Sequence, residues 1–163
     1  MKTSISLVVA FILSFVVSAR AETVKVDSAK VEFVAPTGWK TAAKGTGSEG
    51  IIVTLSPDEE ASIIFAVADS DNLDKAIKTL DALLAKFVTE AKTAKAGKVT
   101  INGMKGIAAK GDAKVNAVAV KTGVLLLQTK SGQILFVIGL VNATKEAAYK
   151  KTFDEVIKGI KPI

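Results

Sequence analysis

Few residues in this chain could carry chemistry, and two of the commonest carriers are missing. There is no His and no Cys among its 163 residues. Structural zinc sites draw on those two side chains, so none is expected. Serine-based nucleophilic catalysis would have to use Lys as its base; Lys130 and Ser131 share a turn, but nothing else marks them. The acidic run Asp69-Ser70-Asp71-Asn72-Leu73-Asp74 is faintly calcium-loop-like. An EF-hand loop wants an oxygen ligand at its fifth position, Gly at its sixth and Glu at its twelfth. Here those positions hold Leu73, Asp74 and Leu80, so the better reading is a helix cap by Asp71 or Asn72. Gly45-x-Gly47-x-x-Gly50 spells a phosphate-loop string, but it lies between strands with no helix N-terminus after it. It reads as a loop.

Two further places could contact a ligand or a partner. Asp58-Glu59-Glu60 forms an acidic corner between two strands, suited to a cation or a basic surface, or else to a solvated turn. Adjacent acids in a turn offer neither the cleft nor the split pKa values that glycoside hydrolysis needs. Trp39, the only Trp, follows Pro36-x-Gly38; it either packs the core or sheet edge or lines a groove. Asn142-Ala143-Thr144 is a glycosylation sequon in a eukaryotic secretory pathway, and Thr144 is a candidate helix cap. No catalytic, cofactor-binding or metal-binding residues are assigned, and no cofactor is expected.

The N-terminus has a different job. Lys2, the apolar run Ile5–Val17 and Ala19-Arg20-Ala21 compose a signal peptide over residues 1–21, with the cut expected between Ala21 and Glu22. The apolar run has 13 residues, short of the ~20 that a spanning helix needs. No Cys follows it, so lipoprotein acylation is excluded, and no stable membrane anchor is expected after cleavage. The protein is expected to be periplasmic or secreted. From Glu22 onward the chain carries 20 Lys and no Arg against 16 Asp and Glu. Without the bidentate, base-stacking guanidinium, and with seven scattered aromatics, nucleic acid is not an expected partner. The lysines are spread along the sequence and read as solubilising surface charge.

The elements that would position these residues follow from periodicity. Residues 22–29 form a polar lead-in, and residues 30–163 a single domain. Strands are expected at 30–34, 39–43, 51–55, 61–68 and 98–101. Leu73, Ala76, Ile77, Leu80, Leu83, Leu84, Phe87, Val88 and Ala91 recur at spacings of three and four, predicting a helix that runs to near Lys95. Asn102-Gly103 is a hairpin turn. A strand over 104–110 then turns at Gly111-Asp112, and the next strand starts at Val115 with Gly123 as a candidate bulge. Ser131-Gly132 turns into a strand over 133–141, and a second amphipathic helix spans 144–159. The runs 124–127 and 134–138 are apolar at consecutive positions, so both their faces must be covered, although tight turns make them antiparallel. The strand 133–141 is therefore expected to be central. The fold class is α+β: an α/β/α sandwich of one mostly antiparallel sheet with an amphipathic helix on each face.

Phe33-x-x-Pro36-x-Gly38-Trp39, Ser56-Pro57-Asp58 before a strand, then a long helix, a meander and a closing helix, resemble the PsbP-like superfamily. That family takes in the photosystem II extrinsic protein PsbP, the Ran-binding Mog proteins and bacterial exported proteins of the DcrB type. The resemblance covers most of residues 30–163. It implies the fold and a generally non-enzymatic habit of binding or assisting other proteins, and it transfers no catalytic residues. DcrB is a lipoprotein, and the missing Cys departs from that.

Together these readings predict an exported, non-enzymatic binding or assembly-accessory protein of the cell envelope. Its expected partner is another envelope or secreted protein, met through Trp39, Asp58, Glu59 and Glu60. The alternative is a carrier or sensor of a small apolar ligand held in a groove between sheet and helix. A carboxylate-only metal hydrolase stands last, because catalytic metal sites draw on His or Cys alongside acids. Composition leaves the oligomeric state open.

Overall fold

The computed structural model describes residues 16–17, 20–44 and 50–163. The expected leader and the loop 45–49 with its glycine string fall almost wholly outside the described residues. From the leader segment, Val16–Val17 (β1) pairs with Thr41 and Lys40.

The chain folds into antiparallel strands and two helices, an α+β fold. Its strands are β2 (Glu22–Val26), β3 (Val31–Ala35), β4 (Lys40–Lys44), β5 (Ile51–Leu55), β6 (Ala61–Val67), β7 (Thr89–Thr93), β8 (Gly97–Ile101), β9 (Met104–Val115), β10 (Val118–Gln128), β11 (Ile134–Asn142) and β12 (Lys161–Pro162). The helices are α1 (Leu73–Leu84) and α2 (Glu146–Gly159). Where one sheet was expected there are two. The larger runs β1-β4-β5-β6-β11-β10-β9-β7, with β8 also on β9; the smaller is β12-β3-β2. Residues 22–26, read as a lead-in, supply an edge of that smaller sheet by pairing with β3.

The central strand is β11, as its unbroken apolar run requires. It pairs with β6 on one side and β10 on the other. Period-two alternation, hidden in the sequence because both faces are apolar, reappears in the packing. Ile64 and Ala66 of β6, with Phe136 and Ile138 of β11, join a cluster containing Ala76 and Leu84 of α1. Ile63, Phe65, Leu135 and Val137 join the other cluster, with Phe33 of β3, Trp39 and Val156 of α2. Phe33 and Phe65 stack at 3.8 Å between ring centroids. The small sheet and α2 thus share the work of covering that face.

Three boundaries differ from the sequence reading. Helix α1 starts as expected, with Asn72 Oδ1 accepting from the backbone N–H of Asp74 and Lys75. It ends at Leu84, however, and tightens through bonds from Lys86 N to Leu83 O and Phe87 N to Leu84 O. Thr89–Thr93 then becomes β7, because β9 is twelve residues long and β8 occupies only its first half. The open half of β9 recruits the segment, and tertiary pairing overrides a helical pattern. Second, β9 continues straight through Gly111-Asp112; the turn sits at Asn116-Ala117, where both φ values are positive (48° and 67°). Third, Gly123 is no bulge. It stays in register with Lys110 on β9 and Gly139 on β11.

Candidate functional site

The face of the large sheet beneath α2 carries two glycines side by side. Gly123 and Gly139 are directly opposed on β10 and β11, and Ala108 lies nearby on β9. Residues at odd positions of β10 and β11 and at even positions of β9 share this face. Phe153 of α2 packs over Gly139, whereas nothing lies within 4 Å of where a Cβ at Gly123 would sit, and a groove of about 570 Å³ runs between sheet and helix there. Its volume falls within the roughly 300–1,000 Å³ of small-molecule sites. Val99, Ile101, Ala108, Leu125 and Val137 give it an apolar floor, and Phe153 and Ile157 of α2 give it an apolar wall.

Two anchors hold α2 at this distance. Asn102, in the β8–β9 turn, donates from Nδ2 to the carbonyls of Lys158 (2.9 Å) and Ile160 (2.7 Å). It thereby satisfies carbonyls that a helix C-terminus leaves without partners. Further along, Trp39 packs edge-on against Tyr149 (5.8 Å) and Phe153 (6.3 Å). Trp39 is only 5% exposed, so it takes the core role. It stands behind the groove wall, touching Phe153, which is a lining residue, while Trp39 itself is not.

The acidic corner reaches the same helix. Asp58 Oδ1 accepts from Tyr149 Oη (2.5 Å), Ser56 Oγ (2.7 Å) and the Glu60 N–H (3.2 Å). Burial works against the Asp58 charge, but the bonds from Tyr149, Ser56 and the Glu60 amide together outweigh it and hold the carboxyl below its ordinary range. Burial and the bond to Asp58 push the Tyr149 hydroxyl up. Glu60 Oε2 accepts from Asn142 Nδ2 (2.8 Å), and Glu59, at φ 59°, lies 3.8 Å from Lys40 Nζ. The four sequence-picked residues therefore divide. Trp39 and Asp58 converge on Tyr149, Glu60 ties the β5–β6 turn to the end of β11, and Glu59 faces Lys40. Asn142 also accepts from the Thr144 N–H, so Asn142, where Thr144 was expected, caps the turn leading into α2. Ser131 Oγ donates to the Ala29 carbonyl. Among the described residues no group of three or more acids converges in a geometry that could hold a metal.

The lysines read as scattered are in part gathered. Lys95, Lys110, Lys121, Lys150 and Lys158 line the groove, with Glu146 and Asp154 as the acids among the lining residues. The sequence signal for this site was a glycine inside an apolar strand, which called for either a bulge or a close approach. Here Gly123 faces open space with Gly139 opposite it under the Phe153 ring, a neighbour nearer in space than in sequence.

No protein-family model matches the chain, and no curated protein matches it by sequence. Solved structures do. Cyanobacterial PsbP (CyanoP) from Synechocystis superposes with a TM-score of 0.63 at 14% identity, over 89% of this chain and 94% of that one. This is the PsbP-like fold. A protein of unknown function from Pseudomonas aeruginosa aligns with a TM-score of 0.56 at 10% identity, over 85% of this chain and 94% of that one. A protein from Bacteroides thetaiotaomicron aligns with a TM-score of 0.61 at 13% identity, over 88% of this chain and 48% of that one. At such identities the likeness concerns the PsbP-like fold alone. Among the described residues no helix is long and apolar enough to cross a membrane.

Proposed function

We propose that this chain is an exported, non-enzymatic binding protein that holds a small apolar ligand between the large sheet and α2. One observation carries the reading: the glycine-floored, apolar groove of about 570 Å³ beneath a helix pinned at both ends. In this reading α1 and α2 are layers on opposite faces of the large sheet, and only the α2 side is left open. Export, by cleavage between Ala21 and Glu22, rests on the signal-peptide pattern of residues 1–21. The non-enzymatic reading rests on the absence of His and Cys and on the hydrogen-bonded, structural use of Ser56, Asp58, Tyr149 and Ser131.

A second reading, contact with another envelope or secreted protein, is favoured by β7. This strand ends the path of the large sheet, and all five of its residues are exposed, as a strand-adding partner requires.

The test is titration with the neutral probe N-phenyl-1-naphthylamine. Saturable binding at one site per chain is expected, and it should disappear in Gly123→Leu, whose side chain would enter the groove. Absence of saturable binding, or full binding to Gly123→Leu, overturns the ligand reading.

A further inference from the structure

Charge is distributed unevenly over this protein, and the groove holds most of the imbalance. Five lysines and two acids line it. The rest of the chain from Glu22 is almost balanced, with fifteen lysines and fourteen acids. Two of the groove lysines are engaged: Lys121 with Asp112 (2.6 Å) and Lys150 with Asp154 (2.8 Å). Lys95, Lys110 and Lys158 take part in no ion pair among the described residues. The positive charge is also concentrated. The bond from Lys150, together with the fields of Lys158 and Lys110, holds the Asp154 carboxyl below its ordinary range. Three ammonium groups from β9 and α2 thus act on a single carboxylate at the groove edge.

Between the lysines the lining is mainly apolar, with Thr122 as its uncharged polar residue. The apolar floor positions are Val, Ile, Ala, Leu and Gly. A β-strand glycine carries a stability penalty of roughly 0.5–1 kcal/mol against alanine. Neither of the two floor glycines is demanded by backbone shape. Their φ values are not positive, a Cβ at Gly123 would meet nothing within 4 Å, and one at Gly139 would meet the Phe153 ring at 3.9 Å. What they provide is room. The lining of α2 extends from Glu146 to Lys158, about 18 Å of helix at 1.5 Å per residue. One acyl chain spans about half of a ~30 Å hydrocarbon core, or ~15 Å.

We infer that the groove takes a single-chain fatty carboxylate, with its tail along the glycine floor beneath α2 and its head against Lys110, Lys158 and Lys95. This inference rests on the ligand-holding reading of the same groove and assigns the ligand's chemistry. The lysines supply point charges without directional forks, which suits a small, rotating carboxylate head. The tail gains from apolar burial, and the head does not have to be desolvated, because the rim lies open to water.

Competition against N-phenyl-1-naphthylamine separates the outcomes. The competitors share a twelve-carbon tail and differ in head: dodecanoate, dodecanol, dodecyl phosphate and dodecyltrimethylammonium. At low salt, dodecanoate should displace the probe at least roughly tenfold better than the cationic analogue, from three weak lysine–anion contacts combined. The preference should collapse near 1 M salt, where the Debye length is ~3 Å. The double variant Lys110→Glu, Lys158→Glu should lose or reverse the preference, each competitor being measured relative to that variant's own affinity for the neutral probe. Equal displacement by all heads, with probe binding intact, would sink the carboxylate assignment and leave the groove reading standing. A clear preference for dodecyl phosphate would reassign the head to a phosphate. No probe binding at all would remove both readings.

Discussion

Replacing Gly123 by Ala should stabilise this protein, whereas the same change at Gly106 should destabilise it, and the contrast tests the geometry of the groove floor. Both glycines sit inside long strands of the same sheet. At Gly123 the backbone is ordinary and the space for a Cβ is open within 4 Å. The substitution then acts mainly by reducing unfolded-state freedom, a gain of about 0.4–1 kcal/mol. At Gly106 a Cβ would lie 2.3 Å from the Leu126 carbonyl oxygen and 3.2 Å from Leu127 Cδ1. That oxygen belongs to the neighbouring strand's backbone and can move only if the ladder moves. Overpacking of this kind costs about 1–3 kcal/mol, partly offset by the same entropic gain. The two variants should therefore differ by about 1–3 kcal/mol. For a domain near 150 residues that is roughly 2–4 °C of melting temperature per kcal/mol. Calorimetric melting of the two variants beside the parent, with urea midpoints as a check, reads the difference. If Gly123→Ala melts below the parent, position 123 does not face open space, and the groove's floor has been misjudged. If Gly106→Ala melts with or above the parent, the close approach of β9 and β10 is wrong.

Two further expectations follow from single residues. Ala117 occupies the left-handed region at φ 67°, where a side chain costs roughly 1–2 kcal/mol, so Ala117→Gly should raise the urea midpoint despite glycine's greater unfolded-state freedom; a lower midpoint would show the turn unstrained. Tyr149→Phe removes the bond to Asp58 and should lower stability by about 0.5–1.5 kcal/mol near neutral pH. The Asp58 carboxyl is held low, so its contribution is complete above the ordinary carboxylate range and is lost as pH falls; the Tyr149 hydroxyl is held high, so its contribution is complete below the ordinary phenol range and is lost as pH rises. The gap between parent and variant should accordingly shrink toward both acid and alkaline pH, and a gap independent of pH would refute the pairing.

Much of this architecture was legible because its causes are local. Asn102-Gly103 can reach positive φ at both positions, and it makes its turn whatever surrounds it. Asn72 caps α1 through its own next two amides, and the unbroken apolar runs of β10 and β11 required cover on both faces. Phe33, Pro36, Gly38 and Trp39 carried the PsbP-like resemblance. What failed to show was decided by pairing over distance. Thr89–Thr93 is helical by pattern, yet it becomes β7 because the far half of β9 stood open to it. Gly111-Asp112 is a turn by composition, yet strands on both sides hold it in register. Asp58 is one acid of three in sequence; only the approach of α2 gives it Tyr149. The groove belongs to the same class. Gly123 and Gly139 are sixteen residues apart, and Lys110 and Lys158 forty-eight, so neither the empty floor nor the charged rim exists until the sheet sets its register and Asn102 fixes the end of the helix. Backbone propensities and hydrophobic runs act along the chain and can be read there; the space left between a helix and two glycines on neighbouring strands exists only in three dimensions.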